Sequence, residues 1–122
     1  MNIDEMSGAD LDTMVAERVM GWHKVPDDEW EGEMWYDALG GMQFVSYRPS
    51  QYLSVAMFAM QKAIEDGCTV ILERRQGYYH AGKHFPALYY CRVEKGRDGY
   101  VSHATTLPLA MCRVLVEVYT NE

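Results

Sequence analysis

Residues 49–67 read PSQYLSVAMFAMQKAIEDG and predict the helix around which the rest of the fold is organised. Its N-cap is predicted at Ser50, whose hydroxyl can accept a hydrogen bond from a free amide of the first turn. Its end is predicted at Gly67, because glycine readily adopts the left-handed conformation of the residue that follows a helix. The stretch therefore predicts a helix over residues 50–66.

One face of this helix is predicted to be buried. Apolar residues recur at steps of three and four, which brings them to the same side of a helix. These residues are Leu53, Ala56, Met57, Met60, Ala63 and Ile64. Phe58 falls outside this face and widens the apolar arc, and the chain holds nine methionines. The wide arc favours a homo-oligomer in which a second chain covers part of the helix.

Two more helices are predicted from the same periodicity. One spans residues 10–20, and the other spans residues 107–119, where Thr106 caps the helix and Pro108 suits its first turn. Strands are predicted where β-branched and aromatic residues cluster between turn residues. They are TVILE (69–73), ALYYCRV (87–93) and residues 100–104.

The remaining segments predict a short hairpin and a loop. Met34–Tyr36 and Met42–Tyr47 are predicted to pair across Gly40 and Gly41. Residues 77–86, rich in glycine, aromatic and basic residues, predict a loop. The expected fold class is α+β, with an antiparallel β-sheet of three to five strands packed with three helices in a sandwich-like arrangement.

Length and cysteine content predict a single intracellular domain. The 122 residues suit one domain over 1–122, in which residues 1–8 are expected to form a flexible leader. No signal peptide is recognised, and no apolar run approaches the ~20 residues that span a bilayer. Cys68, Cys91 and Cys112 are odd in number and lack a C-x-x-C spacing. They fit a reducing compartment, so a cytoplasmic protein is expected.

Charge is distributed unevenly along the chain. The net charge is −7, which argues against a duplex nucleic acid as partner. Residues 1–50 hold 11 acids and 3 bases, whereas residues 51–122 hold 7 acids and 8 bases. Six basic residues lie between Arg74 and Arg97, against the single acid Glu94. This basic segment predicts a binding site for an anion, although a charged hairpin that balances the acidic half of the chain is an alternative.

The candidate site combines cations with aromatic rings. Arginine binds phosphate through two parallel hydrogen bonds, and aromatic rings stack on nucleobases. The ligand-binding residues predicted from the sequence are Arg74, Arg75, Tyr78, Tyr79, His80, Lys83, His84, Phe85 and Arg92. Their chemistry predicts a nucleotide or another small anion as ligand.

A second candidate surface is acidic and aromatic. Residues 26–37 read PDDEWEGEMWYD, and tryptophan and tyrosine are common anchors at protein interfaces. The interface residues predicted here are Asp27, Asp28, Trp30, Glu31, Trp35 and Tyr36. They suit a basic protein partner, although a solvated loop pinned to the core by its tryptophans is an alternative.

Catalytic patterns are weak. His80 and His84 have the spacing of two metal ligands on a helix, but Gly82 and Pro86 make a helix unfavourable there. A pair of Cys91 with a histidine is conceivable as a nucleophile, and a buried strand cysteine is the ordinary interpretation. No phosphate-binding loop, nucleophile elbow or dinucleotide fingerprint is present. No catalytic residue, metal ligand or cofactor is assigned, and a non-enzymatic protein is expected.

Three segments resemble the phage ABA sandwich domain family, whose members are small phage or prophage proteins of mostly unassigned function. They are LDTMVAERVMGW (11–22), PSQYLSVAMFAMQKAI (49–64) and TLPLAMCRVLVEV (106–118), about a third of the chain. The resemblance implies an antiparallel sheet with helices around it. The chain departs from the family at Tyr52, where an acidic residue is frequent, and in the longer basic segment 74–86.

Together these features favour a non-enzymatic phage accessory protein that acts in the cytoplasm of a bacterial host. The leading hypothesis is an anti-defence protein that sequesters an anionic small molecule, such as a nucleotide immune signal. The alternative is an inhibitor that contacts a host protein through the acidic aromatic surface.

Overall fold

The computed structural model describes residues 3–24, 34–44 and 46–120. The helices in these ranges are α1 (Gly8–Met14), which continues as a π-helical segment (Val15–Val19), α2 (Leu53–Glu65) and α3 (Leu107–Thr120). The strands are β1 (His23–Lys24), β2 (Trp35–Tyr36), β3 (Met42–Phe44), β4 (Thr69–Arg75), β5 (Tyr78–His80), β6 (Lys83–Phe85), β7 (Leu88–Lys95) and β8 (Asp98–Ala104). The predicted α+β class with antiparallel strands is confirmed.

The main sheet has the strand order β4-β7-β8, with every neighbouring pair antiparallel. In its register Cys91 lies between Leu72 and Ser102, so these side chains share one face. α3 packs on β7 and β8 at this face, where Cys91 and Val93 are buried. The opposite face is open, since Ile71 and Val101 on it are exposed.

The sequence predicted α2 as the central helix, but the core is built around α3. The buried residues of α3 are Ala110, Met111, Cys112, Val114, Leu115, Val116 and Val118. α2 buries only a narrow strip of mostly small residues, namely Ala56, Ala59, Met60 and Ala63. Leu53, Met57 and Ile64, which were predicted to be buried, are exposed. α2 packs mainly against α3 and also contacts β4 and the π-helical segment.

The N-terminal elements begin earlier than predicted. Ser7 caps α1, because its hydroxyl accepts a hydrogen bond from the amide of Asp10 at 3.1 Å. A short 3₁₀ turn over Ile3–Glu5 precedes it, within the segment that was predicted as a leader.

Ser50 does not cap α2, whose N-cap position is occupied by Tyr52. The amide of Ser50 instead donates to Oδ1 of Asp12 at 2.7 Å, in a buried hydrogen bond. Its hydroxyl donates to the carbonyl of Gly8 at 3.3 Å. Ser50 therefore ties the turn before α2 to α1, a long-range role that a local sequence pattern cannot reveal.

The segment predicted as a loop over residues 77–86, with a charged hairpin as the alternative, forms a β-hairpin from β5 and β6. Its two-residue turn is Ala81-Gly82, with φ angles of 51° and 78°. Positive φ at both positions is the signature of a type I′ turn, which normally carries asparagine or glycine first. Alanine at this position gave no turn signal in the sequence, since alanine rarely adopts positive φ.

The predicted pairing across Gly40 and Gly41 is confirmed as the antiparallel β2–β3 hairpin. β1, which was not predicted, pairs with β2 and completes a second, three-stranded sheet. Within the described ranges, no helix has both the length and the apolar character needed to cross a bilayer.

Candidate ligand-binding site

The β5–β6 hairpin presents different rings on its two faces. On one face, the rings of Tyr78 and Phe85 stack with centroids 4.9 Å apart and planes 13° apart. On the other face, Tyr79 packs against His84 at a centroid distance of 4.7 Å. His80 and Lys83 are paired across the strands and share the face of Tyr78 because side chains alternate along a strand.

A slot of about 160 Å³ lies where this hairpin joins the main sheet. It is lined by Arg75, Gln76, Tyr78, Phe85, Pro86, Leu88 and Tyr90. The guanidinium carbon of Arg75 lies 4.3 Å from the ring centre of Tyr90, which is a cation–π contact. The Arg75–Tyr90 pair and the stacked pair of Tyr78 and Phe85 both border the slot, so planar groups form much of its surface.

Arg75, which lines the slot, and Lys83, which lies further along the hairpin, differ in their partners. Arg75 donates from Nε to Oε1 of Glu73 at 3.1 Å, and this hydrogen bond raises the pKa of the guanidinium above its ordinary value. Lys83 places its ammonium 5.3 Å from the ring of Phe85 and has no carboxylate partner among the described residues. The charge of Arg75 is thus balanced within the protein, whereas that of Lys83 is available to a ligand.

The nine residues predicted as one site are divided among several surfaces. Arg75, Tyr78 and Phe85 line the slot, and His80 and Lys83 extend the same hairpin face towards the turn. Tyr79 and His84 occupy the opposite hairpin face.

The remaining two predicted residues lie on the main sheet. Arg74 lies on its helix-bearing face, 5.8 Å from the ring of Tyr89. Arg92 lies on the open face, where it forms an ion pair with Glu94 at 2.9 Å. It borders a separate cavity of about 150 Å³ lined by Ile71, Glu73, Arg75, Tyr90, Arg92 and Val101.

Four residues of the slot were not predicted from the sequence: Gln76, Pro86, Leu88 and Tyr90. Leu88 pairs with Arg75 across β4 and β7, and Tyr90 pairs with Glu73. These residues reach the slot through the strand register, which sets the neighbours of each side chain. The alternation of side chains along ALYYCRV indicates which residues of this strand share a face. It identifies slot residues only once the partner strand and its register are known.

We expect Gly77→Ala to loosen the slot. A Cβ at this position would lie 2.9 Å from the carbonyl oxygen of Phe85 and 3.1 Å from the amide nitrogen of Ala87. Both are backbone atoms, so the base of the hairpin has to move, at a cost of about 1–3 kcal/mol. Hydrogen exchange of the hairpin amides should accelerate, while the neighbouring change Gln76→Ala should leave it unaltered. Unchanged exchange in Gly77→Ala would show that the close approach does not hold the hairpin in place.

The acidic aromatic surface is only partly described. Asp27, Asp28, Trp30 and Glu31 lie outside the described residues. Trp35 is 1% exposed and belongs to the core, so its ring is not presented to a partner. Tyr36 is half-buried and stacks on His23 at a centroid distance of 6.1 Å. The core position of Trp35 agrees with the alternative that a tryptophan pins this segment to the domain.

Cys91 and the His80–His84 pair do not have the environment that the sequence-based hypotheses of a nucleophile and a metal site require. Burial raises the pKa of Cys91 to about 12, so its thiol stays protonated at neutral pH and is a weak nucleophile. His80 and His84 lie on opposite faces of the hairpin, not on one face of a helix. In the described part of the chain, no three His, Cys, Asp or Glu side chains are grouped closely enough to hold a metal ion.

A broader cleft of about 590 Å³ lies at the ends of the π-helical segment, α2 and α3. Its carboxylate Asp66 accepts hydrogen bonds from Lys62 at 2.9 Å and from the hydroxyl of Tyr119 at 2.5 Å. The Tyr119 and Lys62 bonds lower the pKa of Asp66 below its ordinary value, in that order of importance. Both carboxylate oxygens are thus engaged, one by Lys62 at the end of α2 and the other by Tyr119 of α3, which makes the slot the better candidate for a ligand.

Comparison of the chain with protein-family models, with curated proteins and with solved structures finds no match in any of the three. The resemblance to the phage ABA sandwich family therefore stays a prediction from the helical segments. A functional interpretation depends instead on the side chains of the slot and of the hairpin.

Proposed function

We propose that this protein is a non-enzymatic binding protein for a nucleotide-like anionic small molecule, held at the slot between the β5–β6 hairpin and the main sheet. The observation that carries the proposal is the slot itself, in which three aromatic rings and a guanidinium surround about 160 Å³. Stacking of a nucleobase on an aromatic side chain is worth about 1–3 kcal/mol. Several such planar groups at one slot therefore favour an aromatic ligand.

The charge around the slot supports an anion. Residues 74–86 contain three cations and no carboxylate, within a chain of net charge −7. Glu73 balances Arg75, and Arg74 lies on the helix-bearing sheet face. The uncompensated charge on the hairpin is therefore that of Lys83. Local positive potential attracts an anion even when the whole protein repels it at long range. The free ammonium of Lys83, beside the ring of Phe85, is the cation best placed to meet a phosphate.

The biological setting of the proposal comes from the resemblance to phage proteins. In that setting the protein acts in the cytoplasm of a bacterial host as a phage accessory protein, and binding sequesters a nucleotide signal of host defence. The alternative, an inhibitor that grips a host protein through the acidic aromatic surface, has lost Trp35 as a surface anchor because this residue is buried. The homo-oligomer stays a prediction.

Isothermal titration calorimetry with a nucleotide panel tests the proposal. The panel comprises nucleoside monophosphates and triphosphates, cyclic mononucleotides and cyclic dinucleotides, and at least one member should bind with a Kd below about 100 µM. Arg75→Ala should weaken that binding about fivefold or more, because it removes the guanidinium at the slot.

Arg92→Ala is the matched control for Arg75→Ala. Both arginines are exposed strand residues whose Nε pairs with a glutamate two positions away, at 2.9 Å for Arg92 and 3.1 Å for Arg75. Arg92, however, does not line the slot. Its loss should leave the affinity unchanged. The proposal is wrong when no member of the panel binds at about 1 mM, or when the two variants lose affinity equally.

A further inference from the structure

We propose that the slot takes the single ring of a pyrimidine base and that the phosphate of the same nucleotide lies along the hairpin face beside Lys83 and His80, so that a pyrimidine nucleoside monophosphate is the preferred ligand. This inference rests on the proposed function and adds to it the size, the orientation and the charge of the ligand. Three features of the slot carry it.

The first feature is the size of the slot. A cavity of about 150 Å³ accepts one benzene ring in an engineered protein. The slot has about the same volume, 160 Å³. One six-membered ring therefore fits between the planar groups, whereas the second ring of a purine extends beyond them. Gln76, at the edge of the slot, carries both an amide donor and a carbonyl acceptor, which suit the polar edge of a pyrimidine.

The second feature is the direction in which the free charge lies. Tyr78 and Phe85 are cross-strand partners at the slot, and His80 and Lys83 are the next pair on the same face, nearer the turn. Two residues along a strand span about 6.6 Å, a gap that the sugar of a nucleotide can bridge. A base stacked at the slot therefore brings its 5′-phosphate to the ammonium of Lys83 and to a ring N–H of His80.

The third feature limits the ligand to one nucleotide. The neighbouring cavity on the open sheet face shares Arg75 and Tyr90 with the slot, but Glu73 also lines it. The Glu73 carboxylate repels a second phosphate, and it already balances the charge of Arg75. The hairpin ends at Ala81-Gly82, beyond His80 and Lys83, so the hairpin itself provides no further cation in that direction.

The test is calorimetric titration of the full chain with uridine monophosphate, uridine and adenosine monophosphate. In the unaltered protein, the uridine nucleotide should bind about 10-fold more tightly than uridine, because it adds charge-assisted hydrogen bonds to the phosphate. It should also bind more tightly than the adenosine nucleotide. Lys83→Gln should abolish the preference for the nucleotide over the nucleoside, and Arg74→Gln should preserve it.

Matched changes on the two hairpin faces test the orientation. Tyr78→Leu should weaken both uridine ligands about 10-fold through lost stacking, and Tyr79→Leu should change neither. Circular dichroism and thermal unfolding verify that each variant is folded, and Lys83→Gln keeps the proposal testable when a ring substitution disturbs the hairpin.

Each failure has a distinct meaning. Tighter binding of the adenosine nucleotide, a phosphate preference that survives Lys83→Gln, or equal losses in Tyr78→Leu and Tyr79→Leu would overturn the inference and leave the proposed function standing. Binding of other nucleotides of the panel, but not of the uridine nucleotide, would also overturn the inference and leave the proposed function standing. Absence of binding by every nucleotide in the panel would overturn both.

Discussion

Replacing Trp35 with alanine is expected to lower the free energy of unfolding by about 3–5 kcal/mol. The indole is 1% exposed, on the short strand β2 between β1 and β3, so its removal leaves a large cavity in the core. Urea denaturation followed by circular dichroism measures the loss as a lower transition midpoint. The same residue had been a candidate interface anchor, and a surface anchor would instead leave stability nearly unchanged.

Leu39→Ala is the control for the Trp35 substitution. Leu39 is the large apolar residue at the tip of the β2–β3 turn and is 97% exposed, so its truncation should alter stability by no more than about 0.5 kcal/mol. Similar transition midpoints for Trp35→Ala and the unaltered protein would contradict the core position of the indole.

Asp12→Ala is expected to destabilise the protein by about 2–3 kcal/mol. The carboxylate of Asp12 is buried, and its Oδ1 accepts the amide of Ser50 at 2.7 Å. Alanine leaves this amide without its acceptor and releases the turn before α2 from α1. Part of the loss is offset because a buried charge no longer has to be desolvated. Denaturant titration again measures the change.

Two further substitutions separate the hydrogen bond of Asp12 from its charge. Asp12→Asn keeps a side-chain oxygen that can accept the Ser50 amide, so it should cost less than Asp12→Ala. Asp10→Ala removes an exposed carboxylate from the same helix and should have little effect. A stability of Asp12→Ala equal to that of Asp10→Ala would show that the link between α1 and the turn contributes nothing.

Local patterns predicted much of the secondary structure. The predicted helix over 107–119 agrees with α3 within a residue at each end, and the TVILE segment lies in β4. Both follow from local properties, namely apolar spacing and β-branched content. The segment at residues 78–85 was predicted as a loop, with a charged hairpin as the alternative, because its type I′ turn begins with Ala81, whose φ of 51° is unusual for alanine.

The candidate site shows the same division. Residue types alone indicated that the segment around Arg75, Tyr78 and Lys83 carries cations and rings suited to a nucleotide. The pairing of β5 with β6 placed Tyr79 and His84 on the face away from the slot. The pairing of β4 with β7 brought Tyr90 next to Arg75. A shift of one residue in either pairing would have reversed these positions, because alternate side chains point to opposite faces.

From the sequence alone came the α+β class, the extent of α3 and the chemical character of the basic segment, because these depend on the order of neighbouring residues. Only the tertiary structure decided that α3 occupies the centre, that Trp35 is buried and that five of the nine candidate residues lie at the slot or on the hairpin face next to it. Those outcomes depend on which surfaces meet, and contacts between distant segments set them. A helix with a wide apolar arc such as α2 can bury any part of that arc, and its packing against α3 selected the narrow strip that includes Ala56 and Ala63.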